Sequence, residues 1–480
     1  MTEIPRLIFG WDLPAESGNE PLTDCQFYLP GPGSVHPPLE CWTGLPGFDR
    51  YDKIYRMDNA EKMLSRMAAE LRPSPTLAID AKAKALKAQG VDVISLSVGE
   101  PDFDTPLHIK EAAVAAIQAG FTKYTPASGI PDLKSAIAKQ FKATQGLEFE
   151  PGQVVVGCGA KHVIANAIAA LVNEGDEVLI PAPFWVSYPV MARLAGGIPK
   201  IVYPDGEVRT WDPDSAHLPP PAAGFRLKPE ILAKGLTAKT KLVIMNSPSN
   251  PTGEVYSEEE VKALANVLKG HSAYIISDEI YDALVYDGKA RSLSAVEPAL
   301  KERTIVVNGV SKAFAMTGWR IGWAAGPKKI IDAIGNIQSQ TTSNPTSIAQ
   351  KAALAALTGS MDCVEKMRVE FGQRRDIMVD GMRKMPGIVC AKPGGAFYVF
   401  PDVRHIADNH AARAKLKMEG VHGFSQALCS YLLDEAKVAC VPGAEFGYEC
   451  HLRFSYAASR ETLVKAIERV SVALASLQQG

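Results

Sequence analysis

The chain has 480 residues, a formal net charge of −2 and 22% charged residues. A chain of this length is too long to fold around one simple hydrophobic core, so we expect two domains or one large α/β domain with a smaller one. Its lysines and arginines are scattered and no stretch is apolar for long enough to span a bilayer, which argues against nucleic-acid and membrane partners.

The amino terminus lacks the basic start and apolar core of a secretory signal. The eight cysteines include no C-x-x-C pair, a usage that suits free thiols in a reducing compartment better than disulfides or zinc. We therefore expect a cytoplasmic protein without a metal site.

Residues 1–60 are rich in proline, glycine and aromatic residues and show no sustained period, which predicts an irregular N-terminal extension. From about residue 60, apolar β-branched runs alternate with alanine-rich helical stretches. That alternation is the pattern of a mostly parallel sheet covered by helices. The proline-rich segment 205–225 predicts a surface insertion.

The first informative element is a glycine turn between a predicted strand and a predicted helix. It lies in the stretch QVVVGCGAKHVIANAIAAL, residues 153–171. The backbone amides of Gly159, Ala160 and Lys161 should then lie at a helix amino terminus, where anions bind. Such a turn is also an ordinary packing device, so by itself it indicates little.

Three later strands end in side chains with polar or aromatic chemistry. DEVLIPAPFWVSYP is predicted to end its strand at Phe184 and Trp185, KLVIMNSPSNPTG ends at Asn250, and AYIISDEIYDAL ends at Asp278 with Tyr281 close behind. Each has a structural explanation when taken alone: a core aromatic, an Asn-Pro turn or a helix cap.

A fifth strand, in the stretch RTIVVNGVSKAF, delivers Ser311 and Lys312. The carboxyl ends of the strands of an open α/β sheet face one crevice, where ligands bind. An anion site, a flat aromatic surface, an amide, a carboxylate with a phenol, and a lysine would therefore share one site. Together they match the chemistry of pyridoxal 5′-phosphate.

Each group of that cofactor has a candidate partner. Lys312 would bind the aldehyde as an imine and act as nucleophile and base. Asp278 would pair with the ring nitrogen, Tyr281 and Asn250 would hydrogen-bond the ring oxygen, and Trp185 would stack on the ring. The phosphate would be held by Ser311, Arg320 and the helix amides at Ala160 and Lys161.

Eight stretches carry a resemblance to a known family, in order and spacing: SVGEPDFDTP, TKYTPASGIPDLK, PAPFWVSYP, NSPSNPTG, SDEIY, SKAFAMTGWRIGW, GGAFYVF and LRFSYA. Over residues 60–478 the chain resembles the class I aminotransferases of the pyridoxal-phosphate fold-type I group, most strongly the bacterial and plastid aspartate aminotransferases, some of which accept prephenate.

The resemblance implies an α/β fold with two domains. A large cofactor-binding domain, residues 109–334, would contain a mostly parallel seven-stranded sheet, and a smaller α/β domain would form from both chain ends, residues 61–108 and 335–480.

The resemblance also assigns residues beyond those deduced above, and it matches Lys312 to the family's cofactor-bound lysine. Tyr124 matches a tyrosine that reaches the phosphate of a neighbouring subunit, which implies a homodimer. Arg453 matches the arginine that binds the substrate α-carboxylate, and Gly99 matches a glycine whose backbone lies against the substrate. By the same resemblance, Lys161 and Thr76 would bind the distal carboxylate of aspartate.

Some features depart from the family pattern. The first 60 residues and the 205–225 segment have no counterpart in it, and His162 stands where many relatives carry glutamine. Arg72 lies where relatives that accept prephenate carry a basic residue.

We expect an aspartate aminotransferase that converts L-aspartate and 2-oxoglutarate to oxaloacetate and L-glutamate in two half-reactions, with Lys312, Asp278 and Tyr281 as its catalytic residues. Its partners would be small molecules, namely amino acids and 2-oxo acids. One alternative is a preference for prephenate, aromatic amino acids or alanine. A more remote one is a cofactor-binding regulator without turnover, although the first 60 residues show no helix-turn-helix pattern.

Overall fold

The computed structural model describes residues 75–218 and 224–479, together with 64–65, 68–69 and 71. The chain divides into two compact units, residues 1–71 and 72–480. The predicted irregular extension, residues 1–60, lies outside the described residues. The elements below all belong to the second unit.

The strands are short and rich in β-branched residues. They are Ile94–Ser95 (β1), Val154–Gly157 (β2), Glu177–Pro181 (β3), Ile198–Val202 (β4), Val208–Thr210 (β5), Thr240–Asn246 (β6), Tyr274–Asp278 (β7), Thr304–Gly309 (β8), Gly322–Ala325 (β9), Tyr398–Val399 (β10), Val438–Ala439 (β11), Val441–Pro442 (β12) and Leu452–Ser455 (β13).

The α-helices cover these strands and connect them. They are Pro75–Ala88 (α1), Leu107–Gln118 (α2), Pro131–Gln145 (α3), Ala160–Leu171 (α4), Ser187–Leu194 (α5), Pro229–Gly235 (α6), Glu258–Lys269 (α7), Leu293–Val296 (α8), Lys328–Thr341 (α9), Ser347–Thr358 (α10), Asp362–Arg383 (α11), Arg404–Asp408 (α12), His410–Lys415 (α13), Phe424–Tyr431 (α14) and Arg460–Gln478 (α15).

The large sheet has the strand order β2-β9-β8-β7-β6-β3-β4-β5. Strands β3, β4, β6, β7 and β8 pair in parallel, whereas β9 is antiparallel to both of its neighbours and β5 is antiparallel to β4. Strand β2 therefore runs in the same direction as β8. The predicted α/β class with a mostly parallel sheet is confirmed.

The sheet has eight strands rather than the seven expected. The additional edge strand β5 comes from the 205–225 segment, which was expected to be only a surface insertion, and it pairs with β4 through Val202 and Val208. Its three residues are too few to show the two-residue period of a strand.

Both faces of the large sheet are buried, as a parallel sheet requires. Successive residues of a strand point to opposite faces, so Val155 packs into one core while Val154 and Val156 pack into another. The same alternation separates Val306 from its neighbours in β8.

A further core contains residues from both ends of the second unit. Ile94 and Leu96 pack there with Phe454 and Leu474. The core lies around the three-stranded sheet β10-β13-β12 and the pair β1-β11. Residues 72–480 nevertheless form one compact unit, so the division at 108/109 and 334/335 stays a prediction.

None of the helices in the described part of the chain is long and apolar enough to cross a membrane.

Candidate active site

Three central strands bring their carboxyl ends to the same level. Asp278, the last residue of β7, is in register with Asn246 of β6 and Val307 of β8. Three residues beyond the end of β8 lies Lys312, in a turn. The parallel order thus directs the predicted polar strand ends to one crevice, as expected.

The amine of Lys312 faces the loop that contains Gly99. Its Nζ donates a hydrogen bond of 2.5 Å to the Gly99 carbonyl and lies 5.8 Å from the ring centroid of Tyr281. Desolvation lowers the pKa of Lys312 to about 8, and the charge of Arg453 acts in the same direction. A substantial fraction of the amine is therefore neutral near physiological pH, which a nucleophile or base requires.

Asp278 is a buried carboxylate with two donors. Its Oδ2 accepts from the Tyr188 hydroxyl at 2.5 Å, and its Oδ1 accepts from the backbone amide of Ile280 at 3.3 Å. Burial raises the pKa of Asp278 to about 6, while the Tyr188 hydrogen bond opposes that rise. The carboxylate can therefore remain ionised at neutral pH inside the protein.

Tyr188 is not among the site residues predicted from the sequence. It lies three residues after Trp185, near the start of α5, and the two rings pack edge to face at 5.2 Å. The available signal was the buried strand-end carboxylate itself, which needs a hydrogen-bond donor.

The glycine turn before α4 lies where the sequence predicts an anion site. Gly159 caps the helix with φ 93°, a conformation that favours glycine. Arg320 donates from Nη2 to the Cys158 carbonyl at 3.3 Å and from Nη1 to the Thr317 carbonyl at 2.9 Å. This places its guanidinium beside the first amides of α4, and Arg320 itself has the left-handed conformation φ 57°, ψ 50°.

Ser311 is buried next to Lys312 in the chain, and His162 packs behind the glycine turn. The His162 Nδ1 accepts from the Cys158 amide at 3.1 Å. Burial lowers the pKa of His162, and the nearby charge of Arg320 adds to this effect. A neutral imidazole is the form that can accept at Nδ1.

Lys161 and Trp185 meet at one side of the crevice. The Lys161 Nζ lies 5.0 Å from the centroid of the Trp185 ring. Burial lowers the pKa of Lys161, and Arg320 contributes in the same direction. Trp185 does not end strand β3 as expected, because the strand stops at Pro181 and Pro183 follows.

Arg453 in β13 is buried and only partly satisfied. Its Nη1 donates to Asn250 Oδ1 at 3.0 Å and its Nη2 donates to the Ser97 carbonyl. Its Nε has no hydrogen-bond partner among the described residues. An incompletely satisfied buried guanidinium is a suitable binding group for a carboxylate.

Tyr398, in the stretch GGAFYVF, is not among the site residues predicted from the sequence. Its hydroxyl lies 2.7 Å from the Tyr281 hydroxyl, and its ring centroid is 4.6 Å from the guanidinium carbon of Arg453. A side chain at Gly99 would collide with the Tyr398 hydroxyl, which explains the need for glycine there.

For two of the predicted site residues the described structure shows no contact with the crevice. Tyr124 is 90% exposed on this chain. Thr76 belongs to α1, and its side chain lies outside the described residues, as does Arg72. Their roles stay predictions.

The side chains in the crevice fit pyridoxal phosphate. A buried acid is present for a ring nitrogen, a lysine with a lowered pKa for an aldehyde, and a guanidinium beside helix amides for a phosphate. The unpartnered Arg453 Nε adds capacity for a substrate carboxylate.

The family model for aminotransferase class I and II matches residues 91–470. The chain belongs to this family. The predicted enzyme class is thereby confirmed, and members of the family use pyridoxal 5′-phosphate, the cofactor deduced from the strand ends.

This aminotransferase is 49% identical to the aspartate aminotransferase of Geobacillus stearothermophilus over 408 residues, 85% of this chain and 98% of that one. It is 47% identical to the aspartate/prephenate aminotransferase of Cereibacter sphaeroides over 86% of this chain and 99% of that one. The structure of the Thermus thermophilus aspartate aminotransferase with maleate matches with a TM-score of 0.75 and 42% identity, covering 85% of this chain and 99% of that chain.

Proposed function

We propose that this aminotransferase is an aspartate aminotransferase, which transfers the amino group of L-aspartate to 2-oxoglutarate and yields oxaloacetate and L-glutamate. The observation that carries the proposal is a pair of cationic side chains, Arg453 and Lys161, at the crevice of Lys312. Arg453 is buried and Lys161 is exposed, and desolvation lowers the pKa of both, so a substrate with two carboxylates would stabilise both charges. The names of the Geobacillus and Thermus relatives agree with this assignment.

When bound, the cofactor supplies an aldehyde that takes up the substrate nitrogen and a ring that accepts the electron pair from Cα. Asp278 would hold a proton at the ring nitrogen, and Tyr281 and Asn250 would donate to the ring oxygen. Lys312 Nζ would take the proton from the substrate Cα and return it as general base and acid. Arg453 would fix the α-carboxylate throughout.

Trp185 would cover one face of the ring and exclude water from the reacting carbon. The phosphate would lie among Ser311, Arg320 and the amides of Ala160 and Lys161. Gly99 would let the substrate approach the backbone, and Thr76 would join the Lys161 side chain at the distal carboxylate. The second half-reaction runs through the same groups in reverse, because 2-oxoglutarate also carries two carboxylates.

A homodimer is part of the proposal, with Tyr124 reaching the phosphate of the other subunit. Exposed apolar side chains near Tyr124 in the sequence support an interface in this part of the chain. Leu107 and Ile117 of α2 are 66% and 54% exposed, and the 90% exposed Tyr124 follows them closely in the chain. We also propose the cytoplasm as its location, since the six cysteines in the described part of the chain are all free.

The main alternative is a preference for prephenate, which the name of the Cereibacter relative favours. Both activities need a cation at each end of the substrate pocket, so the fold does not separate them. Profiles of kcat/KM with aspartate, phenylalanine and alanine as donors, and with 2-oxoglutarate and prephenate as acceptors, would separate them.

The test of the proposal is a visible absorption spectrum of the cofactor-loaded protein before and after L-aspartate or L-phenylalanine is added. We expect a yellow band that aspartate removes far faster than phenylalanine does. Lys312→Ala should lack that band and lose turnover by roughly 10⁴-fold. Retained transamination in this variant would refute the role of Lys312, and a band that only phenylalanine removes would refute the aspartate assignment.

A further inference from the structure

Tyr398 lies between two residues that the proposed function uses for different purposes. Its hydroxyl contacts that of Tyr281 at 2.7 Å, and its ring lies against the guanidinium of Arg453 at 4.6 Å. The side chain is 1% exposed. Tyr281 belongs to the cofactor side of the crevice and Arg453 to the substrate side, so one side chain touches both.

The two hydroxyls form a pair in which one must donate and the other accept. If the Tyr281 proton is directed to the cofactor, the Tyr281 oxygen remains free to accept from Tyr398. The pair then has one direction, from Tyr398 through Tyr281. A donor whose own oxygen accepts a hydrogen bond is a stronger donor, because bonds in a chain polarise one another.

The ring of Tyr398 acts on the guanidinium of Arg453. Burial lowers the pKa of Arg453, and among the described residues the groups that oppose this effect are Tyr398, Tyr281 and Cys440, none of them a carboxylate. The faces of Tyr398 and Phe446 lie 4.6 Å and 5.0 Å from the guanidinium carbon. Aromatic faces stabilise a desolvated cation without occupying its hydrogen-bond donors, which stay available for a carboxylate.

We propose that Tyr398 is a positioning residue with two separable actions: its hydroxyl strengthens Tyr281 as a donor, and its ring face holds the Arg453 guanidinium ready for the substrate α-carboxylate. This inference rests on the proposed function. Because the ring and the hydroxyl act on different partners, two substitutions can separate them.

The two variants are Tyr398→Phe, which removes only the hydroxyl, and Tyr398→Leu, which also removes the aromatic face. Tyr256→Phe is the matched control, since Tyr256 is a buried tyrosine elsewhere whose hydroxyl accepts from the Leu227 amide at 3.0 Å. Thermal unfolding of each variant establishes that it is folded.

Two readouts other than activity apply. The first is the pH midpoint of the visible band of the cofactor-loaded protein. The second is the dissociation constant of succinate, a dicarboxylate without an amino group, measured by calorimetry.

We expect Tyr398→Phe to raise the pH midpoint by roughly half a unit to one unit. Tyr281 would then be a weaker donor to the ring oxygen, and the Lys312 nitrogen joined to the cofactor would be more basic. The succinate affinity of Tyr398→Phe should stay within about twofold of the wild type. Tyr398→Leu should show the same midpoint shift and a further loss of succinate affinity of about threefold to thirtyfold. Tyr256→Phe should change neither readout.

An unchanged midpoint in Tyr398→Phe overturns the hydroxyl action, and equal succinate affinity in the two Tyr398 variants overturns the ring action. If Tyr398→Leu does not fold, Tyr398→Met replaces it, with the same expectation for succinate. A wild-type protein that shows no visible band or no aspartate transamination contradicts the proposed function instead, so the two failures are distinguishable.

Discussion

The hydroxyl of Tyr188 donates a 2.5 Å hydrogen bond to Oδ2 of Asp278, at the end of the central strand β7. Tyr188 is itself buried, so the bond is shielded from water. Because Asp278 is desolvated, its two hydrogen bonds, from Tyr188 and from the Ile280 amide, help to keep its carboxylate ionised. One donor is a backbone amide, so a substitution can remove only the bond from Tyr188 without changing the backbone.

Tyr188→Phe should therefore raise the pKa of Asp278 further above its present value of about 6. The ionised form is needed to hold a proton on the ring nitrogen, so activity is present above this pKa and lost as pH falls through it. The acid limb of the kcat/KM profile should move up by roughly one to two pH units, the effect of one hydrogen bond to a charged group. Tyr256→Phe is the control, and an unmoved acid limb would contradict the role.

The lowered pKa of Lys312 predicts how the cofactor attaches to the cofactor-free protein. Only the neutral amine attacks an aldehyde, and desolvation places the pKa at about 8. The rate of attachment, followed by absorbance, should rise with pH to a midpoint near pH 8 and then level off. The cofactor-free Lys312→Ala protein gives the background rate at other lysines. A rate that keeps rising to the ordinary lysine pKa of about 10.4 would rule out a desolvated amine.

Lys161→Ala should reduce kcat/KM for aspartate by about tenfold to a hundredfold, since a charge-assisted hydrogen bond to the distal carboxylate is lost. Alanine and phenylalanine lack that carboxylate and should be affected much less. Because Lys161 also packs over Trp185, Lys161→Met keeps the apolar stem over that ring and should show the same selectivity. Equal losses for all donors would remove Lys161 from substrate selection.

Arg453→Lys should weaken the binding of every amino donor to a similar extent, because all of these substrates carry an α-carboxylate. Lysine keeps the charge but cannot make two parallel hydrogen bonds or stack between the rings of Tyr398 and Phe446. We expect KM to rise by at least about tenfold for aspartate and phenylalanine alike, measured by steady-state kinetics. A loss confined to aspartate would place Arg453 at the distal carboxylate instead.

The strand-end positions that the structure shares with the sequence prediction are those that depend on local order. Asp278 ends its strand and Lys312 follows another, and the parallel order of the sheet then brings both to one edge. Such positions follow from a strand pattern and one topological rule.

The residues that were not predicted make contacts with partners that are distant in the sequence. Tyr188 is 90 residues from Asp278, and Tyr398 is 117 residues from Tyr281. Each lies in an apolar segment where a buried tyrosine is ordinary, and no local period indicates which polar atom its hydroxyl will meet. Tyr124 illustrates a different limit, because its predicted partner would belong to another subunit.

Arg320 has a left-handed backbone, a conformation that costs a residue with a Cβ roughly 1–2 kcal/mol. Glycine would adopt it freely but would leave the turn at Cys158 without its guanidinium. A search for heat-resistant variants would therefore favour replacement of this arginine, while its proposed role in holding the cofactor phosphate would oppose that replacement. Under that proposal, the stability of the cofactor-free protein and the retention of the cofactor are competing demands at this one position.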